Sequence, residues 1–200
     1  KSDPSNRGKL KSIAKLFHTQ IPYPVILLIK LGGEIAVSLA DKRINQADSS
    51  KLVIDNFFNS PWFNVASLQS NENDFLNDFS LKNVSSVNYY ELYQDFISML
   101  ITLNTSYISG RYLTKSSHQK RVSINNLSSS LENQADTSLF IEMTNEEKTN
   151  LLKQLASLEG ELSNIRNKLK KEMQMNEKMR LNVQARKVKQ AISAITSQLV

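Results

Sequence analysis

The sequence contains no cysteine. Its absence excludes a disulfide framework, a zinc site built on thiolates and a cysteine nucleophile within these 200 residues. Proteins of reducing compartments can do without cysteine because disulfides are rare there. We therefore expect a cytoplasmic protein.

Long apolar runs are absent too. The longest, Val25–Ile29 with its neighbours, is far shorter than the roughly 20 residues that a membrane-spanning helix needs. No cleavable signal is visible at the start, so the sequence predicts no membrane partner. The first residue is Lys1 rather than methionine, and Lys1–Leu10 resembles the end of a loop. We expect a further N-terminal portion to precede it.

Residues that usually carry catalysis are scarce. The two histidines, His18 and His118, lie a hundred residues apart without flanking acids, which argues against a metal site and favours solvated or core histidines. None of the five glycines belongs to a glycine-rich phosphate loop. The best set for a metal-dependent nuclease is Glu34, Asp41, Lys42 and Asp55, and its spacing is poor. The sequence therefore predicts no catalytic residue, no metal and no cofactor.

In the first half of the chain, a helical pattern is followed by several strand patterns, and this order predicts an α+β fold. Gly8–Gln20 is amphipathic, with Leu10, Ile13, Ala14, Leu16 and Phe17 on the side expected to pack on a sheet. The prolines of Ile21-Pro22-Tyr23-Pro24 end that helix. Three strands then follow in a meander, with a hairpin turn at Gly32-Gly33. Their predicted ranges are Val25–Leu31, Glu34–Leu39 and Lys51–Phe58.

Helical and polar patterns follow the meander. A polar stretch, Gln69–Asp74, separates it from a helix over Asn88–Ser106, whose apolar stripe of Leu92, Phe96, Met99, Leu100 and Leu103 should cover a sheet face. Residues 115–136 are rich in serine, asparagine and glutamine, which is typical of a linker or exposed loop. We predict a globular domain over 1–114, a linker over 115–143 and a helical arm over 144–200.

The arm carries two apolar seams with alternating spacings of three and four, the pattern of a coiled coil. Continuing the first seam would put core positions at Glu172, Asn176, Met179 and Val183, so the two seams are out of phase. Either one long helix contains a skip, or two helices fold back on each other near residues 170–182. The first seam is Leu151, Leu155, Leu158, Leu162, Ile165 and Leu169, and the second is Leu181, Ala185, Val188, Ile192, Ile195 and Leu199.

Positive charge is concentrated in the arm, where residues 164–190 hold nine cations against Glu172 and Glu177. The cations are Arg166, Lys168, Lys170, Lys171, Lys178, Arg180, Arg186, Lys187 and Lys189. A nucleic-acid backbone, an acidic protein or solvent alone would suit such a surface. A second candidate contact is Lys42, Arg43 and Asn45 at a strand end, with a solvated turn as the alternative. Trp62 is expected to plug the core rather than stack on a base.

Two blocks of the sequence, residues 21–63 and 170–192, resemble a bacterial family, the domain of unknown function numbered 4391. The matching positions are Ser38, Lys42, Arg43, Ile44, Asn45, Trp62, Glu172, Gln174, Asn176 and Asn182. The resemblance implies a further α/β segment ahead of this one. It also implies association with helicase and methyltransferase genes of restriction or phage-defence type.

These observations lead to two hypotheses. In the first, the chain is a non-catalytic accessory subunit of a bacterial DNA-processing complex. Its arm would bind a protein partner, such as a helicase or methyltransferase subunit or a second copy of the chain, and DNA or RNA without sequence preference. In the alternative, it is a metal-dependent nuclease whose site lies partly in a preceding segment.

Overall fold

The computed structural model describes residues 4–48, 52–114 and 143–200. The chain forms two compact units, residues 1–136 and 137–200. The first is a small antiparallel sheet with helices and the second a pair of long helices, which confirms the predicted α+β class. The predicted linker lies almost wholly outside the described residues, as does His118, so the three domain boundaries stay a prediction.

The sheet is built around one long strand. Strand β2 pairs antiparallel with β1 on one edge and with β3 and the short β4 on the other, which confirms the predicted meander. At the first turn Leu31 pairs with Glu34, and Gly32 has φ +61°, a conformation that side chains disfavour. The strands are β1 Leu27–Leu31, β2 Glu34–Ile44, β3 Leu52–Asn59 and β4 Phe63–Asn64.

A short helix, α1 (Pro4–Arg7), leads into α2 (Leu10–Gln20), which packs on the sheet through Leu10, Ala14 and His18. The predicted packing side was partly wrong, because three of its five residues are exposed: Ile13 at 38%, Leu16 at 60% and Phe17 at 48%. Ala14 has no exposed surface, and its small side chain lets the helix approach the sheet closely. Large apolar residues lie on both sides of the strip of α2 that contacts the sheet, so the sequence pattern did not show which side is buried.

The described part of the first unit has two further α-helices, α3 (Ser70–Asp78) and α4 (Tyr89–Ser109), with a short 3-10 helix, Leu81–Asn83, between them. The polar stretch predicted as a separator is in fact the start of α3, where Gln69 and Glu72 form a reciprocal capping box. Helix α4 confirms the predicted helix and packs on β2 and β3. Of its predicted stripe, Leu92 is half-buried and the other four residues are buried.

Helix α3 is joined to α4, and to the segment that follows α4, by buried polar contacts as well as by aromatic packing. The Tyr107 hydroxyl donates to Glu72 Oε1 at 2.7 Å, and the Tyr112 hydroxyl donates to Asp78 Oδ2 at 2.8 Å. Burial, together with these carboxylates, raises the pKa of both tyrosines. Both carboxylates are buried, so these hydrogen bonds satisfy groups that would otherwise destabilise the core.

The second unit is an antiparallel helical hairpin of α5 (Asn145–Lys171) and α6 (Met175–Leu199). Of the two predicted alternatives, the fold-back is confirmed and the single long helix is wrong. Every predicted seam residue is buried or half-buried, and Leu162, Ile165, Leu181 and Val188 form the core between the helices. The out-of-phase seams arise because each helix turns its own stripe toward the other. Coiled-coil packing of the seam stays a prediction.

Within the described parts of the chain, no helix is both long enough and apolar enough to span a membrane.

Candidate nucleic-acid interface

At the start of each helix of the hairpin, a carboxylate accepts hydrogen bonds from the backbone. At the start of α5, Thr144 and Glu147 form a capping box in which Glu147 Oε2 accepts from the Thr144 amide at 2.7 Å. At the turn, Glu172 Oε1 accepts from the amides of Met173 and Gln174 at 2.8 and 2.9 Å. These backbone hydrogen bonds lower the pKa of Glu147 and of Glu172. Glu172 therefore stabilises the turn.

The nine arm cations fall into three groups according to their position around each helix relative to its apolar seam. With 3.6 residues per turn, Arg166 and Lys170 of α5 lie on the same side of the hairpin as Lys178 and Lys189 of α6. We call these four residues the basic face. Lys178 is half-buried and the other three are exposed. Two carboxylates lie near this side: the Lys178 charge contributes to the lowered pKa of Glu172, and Glu159 lies on the same face of α5 two turns before Arg166. Four cations and two carboxylates leave the basic face with a net positive charge.

The opposite side of the hairpin, the mixed face, consists of Glu161, Lys168, Glu177, Arg180 and Lys187. A groove of about 370 Å³ between the two helices is lined by Glu161, Lys168 and Lys187, which places these three residues together. Arg180 forms an ion pair with Glu177 at 2.7 Å. Carboxylates therefore offset much of the positive charge here. The last two cations, Lys171 and Arg186, point outward from α5 and α6.

The structure places Lys42, a predicted contact residue, inside the first unit. Its side chain is 7% exposed, and the ammonium donates to the carbonyls of Ile21 and Tyr23 at 2.6 and 2.7 Å. Burial lowers the pKa of this ammonium. Pro22 and Pro24 have no backbone N–H, and Lys42 supplies the donors that hold this turn against the sheet.

The other two predicted contact residues at this strand end also have local partners. Arg43 pairs with Asp55 on the neighbouring strand at 2.6 Å. Asn45 Oδ1 accepts from the amide of Ala47 at 2.9 Å, the self-bonded turn that was the alternative interpretation. Contact between this stretch and a ligand stays a prediction, and the proposal below uses only the hairpin cations.

Each of the predicted nuclease acids is engaged in a contact within the first unit. Glu34 pairs with Arg7, Asp41 Oδ1 accepts from Gln94 Nε2 at 2.9 Å, and Asp55 pairs with Arg43. Among the described residues, no group of three or more metal-binding side chains is close enough to hold an ion. These carboxylates act as structural partners in the described fold.

Near the sheet's second turn, Phe63 is the buried aromatic residue at 2% exposure, and Trp62 is only half-buried. The indole of Trp62 donates to the carbonyl of Arg7 at 3.3 Å. The plug that was expected at Trp62 is therefore Phe63, and Trp62 lies over the N-terminal segment.

A buried pair that sequence reasoning missed joins α2 to the sheet. His18 Nε2 lies 3.0 Å from Ser38 Oγ, and both side chains are at most 1% exposed. Burial, and then the Lys42 charge, lowers the pKa of His18 to about 4. The only available signal was the i, i+4, i+8 spacing of Leu10, Ala14 and His18. Because no solvent reaches either side chain, the pair is part of the core rather than a catalytic dyad.

Fold and surface together define a small α+β protein with a basic helical hairpin. The family model for "Domain of unknown function (DUF4391)" matches residues 4–138, and the chain belongs to that family. The match ends before the hairpin, so the resemblance of residues 170–192 stays a prediction. Searches of curated proteins and of solved structures found no match.

Proposed function

We propose that this protein is a non-catalytic interaction subunit that binds the phosphate backbone of nucleic acid through the basic face of its helical hairpin. The observation that carries the proposal is the excess of cations on one side. Four cations from two helices share the basic face with two carboxylates, whereas the mixed face holds three cations and two carboxylates, one of them in an ion pair with Arg180. Such an arrangement favours a polyanion on one side over diffuse solvation of the whole arm.

The family supports a second part of the proposal, which concerns the complex in which the protein works. The chain resembles family members associated with defence genes, and this supports a place in a bacterial DNA-processing complex of restriction or phage-defence type. A helicase or methyltransferase subunit would be the protein partner there, and the protein would act in the cytoplasm. Binding would be independent of base sequence, because lysine and arginine contacts to phosphates carry no sequence information.

The salt dependence of duplex DNA binding tests the basic face. Changing Arg166, Lys170 and Lys178 together to glutamine should lower the slope of log affinity against log salt by about 0.9 per lost phosphate contact. The matched control changes Lys168, Arg180 and Lys187 to glutamine, which removes the same charge from the mixed face. We expect that control to keep the parental slope in fluorescence anisotropy titrations.

Equal salt slopes for the two triple variants would contradict the proposal that the basic face is the binding surface. The number of charges, and not their position on the hairpin, would then determine binding. Absence of binding to any nucleic acid at low salt would refute nucleic-acid binding altogether.

The protein should not cleave nucleic acid. Incubation with plasmid, single-stranded DNA and RNA, in magnesium and in manganese, should leave all three intact, because the candidate acids are engaged in structural contacts. Gel electrophoresis over a time course measures this. Cleavage that disappears in Asp55→Asn or Asp41→Asn would instead establish the nuclease alternative.

A further inference from the structure

Helix α6 is apolar on two opposite sides. One side is the seam toward α5. On the other side Met175, Met179 and Val183 follow each other at intervals of four residues, and their side chains are 71%, 60% and 56% exposed. Residues at this spacing form one continuous ridge along a helix. We call these three residues the outer stripe.

The outer stripe is not needed for the hairpin. The core between the two helices is formed by Leu162 and Ile165 of α5 and by Leu181 and Val188 of α6. The two α6 residues lie on the opposite side of that helix from the outer stripe. A surface-exposed row of two methionines and a valine therefore contributes nothing to the seam. Because methionine is flexible and polarisable, it is common on surfaces that adapt to a partner.

Cations border the outer stripe on both sides. Lys178 and Lys189 lie along one border, Arg180 and Lys187 along the other, and Arg186 continues the outer surface beyond Val183. The one carboxylate between Met175 and Lys189 is Glu177, which is paired with Arg180. The stripe is thus an apolar ridge with a strongly positive surround.

We propose that the outer stripe of α6 docks against an acidic amphipathic helix of a partner protein. Apolar residues of that helix would cover Met175, Met179 and Val183, and its flanking glutamates and aspartates would face the bordering cations. The i, i+4 ridge on α6 is the shape that interdigitates with another helix. This inference rests on the partner-binding part of the proposed function and deepens it. It shares Lys178 and Lys189 with the proposed nucleic-acid contact, but its apolar residues belong to the outer stripe alone.

Charge and composition decide against the other occupants. A second copy presenting the same stripe would bring two sets of cations together, and like charges across an interface are unfavourable. Helices that lie in a membrane interface carry tryptophan, phenylalanine or leucine on the apolar face, and the outer stripe has none of these. Phosphates would leave the apolar ridge uncovered.

Selection from a peptide library tests the proposal. The full chain is used to select from amphipathic helical peptides with a fixed leucine stripe and randomised flanking positions. We expect enrichment of glutamate and aspartate at the flanks. Anisotropy titration of an enriched peptide should then show at least tenfold weaker binding to the variant Met175→Gln, Met179→Gln, Val183→Gln. The matched control, Leu81→Gln with Val87→Gln, alters exposed apolar residues of the first unit and should bind normally.

The variant keeps every cation of the basic face, so its salt slope on duplex DNA should equal that of the parent protein. Loss of peptide binding with an unchanged slope separates this inference from the proposed nucleic-acid contact. Four results would overturn it. Two concern peptides: no enrichment of acidic sequences, or equal binding by the variant. The other two are a parent dimer in light scattering that the variant abolishes, and sedimentation with phosphatidylserine vesicles that is lost in the variant.

Discussion

Changing Leu162 and Ile165 together to serine should unfold the helical hairpin and leave the mass of the protein unchanged. Both side chains are buried between α5 and α6, and truncating a buried leucine or isoleucine costs about 2–5 kcal/mol. A hairpin held by one apolar seam has little stability to spare. Helices α5 and α6 contribute 27 and 25 residues, about half of the described helical residues, so the helical circular dichroism should fall by about half.

The control for this experiment changes Asn164 and Asn167 to serine, two exposed positions of the same helix, and should keep the full helical signal. Light scattering measures the mass of each variant. A mass that falls while the helical signal persists would show that the seam joins different chains rather than the two helices of one chain.

Acid should destabilise the first unit through His18. The folded protein holds this histidine neutral with a pKa of about 4, whereas an unfolded chain binds its proton near 6.5. Between these values the unfolded state binds more protons, so the stabilisation is fully present above pH 6.5 and is lost as the pH falls toward 4. Its size is about 2 kcal/mol between pH 7 and pH 5 and about 3 kcal/mol by pH 4.

Urea unfolding at a series of pH values measures this contribution. Carboxylates titrate in both proteins, so subtracting the stability profile of His18→Gln from that of the parent cancels their contribution to the pH dependence. The variant His118→Gln removes the other histidine and should keep the parental profile. Parallel profiles for the parent and His18→Gln would contradict a buried neutral histidine.

Much of the first unit could be predicted because its signals are local. Prolines at 22 and 24, the glycine pair at 32 and 33 and alternating strand residues fix the order and pairing of the strands. The end of β2 was wrong, because the strand continues from the predicted Leu39 to Ile44. The packing side of α2 could not be predicted, because Leu16 and Phe17 are as apolar as the residues that are buried. The start of α3 was missed because its capping residues are polar and resemble a loop.

The candidate site was only partly predictable for a related reason. All nine arm cations are visible in the sequence, but their division into two faces depends on how the two seams meet. The break at Glu172 contains neither glycine nor proline, and the phase shift between the seams was its only sign. The burial of Lys42 could not be predicted, because the carbonyls that accept from its ammonium belong to a turn about twenty residues away.

The irregular pairing of β2 with β3 bears on how the length of this fold can vary. Asp41 pairs with Asn56 and Lys42 with Ile54, so Asp55 is an extra residue that the ladder passes over. A chain lacking that residue would keep Ile54 and Phe57 on their present faces and would lose only the partner of Arg43. A one-residue gap at this position in a relative would therefore mark the loss of a bulge and not a different sheet.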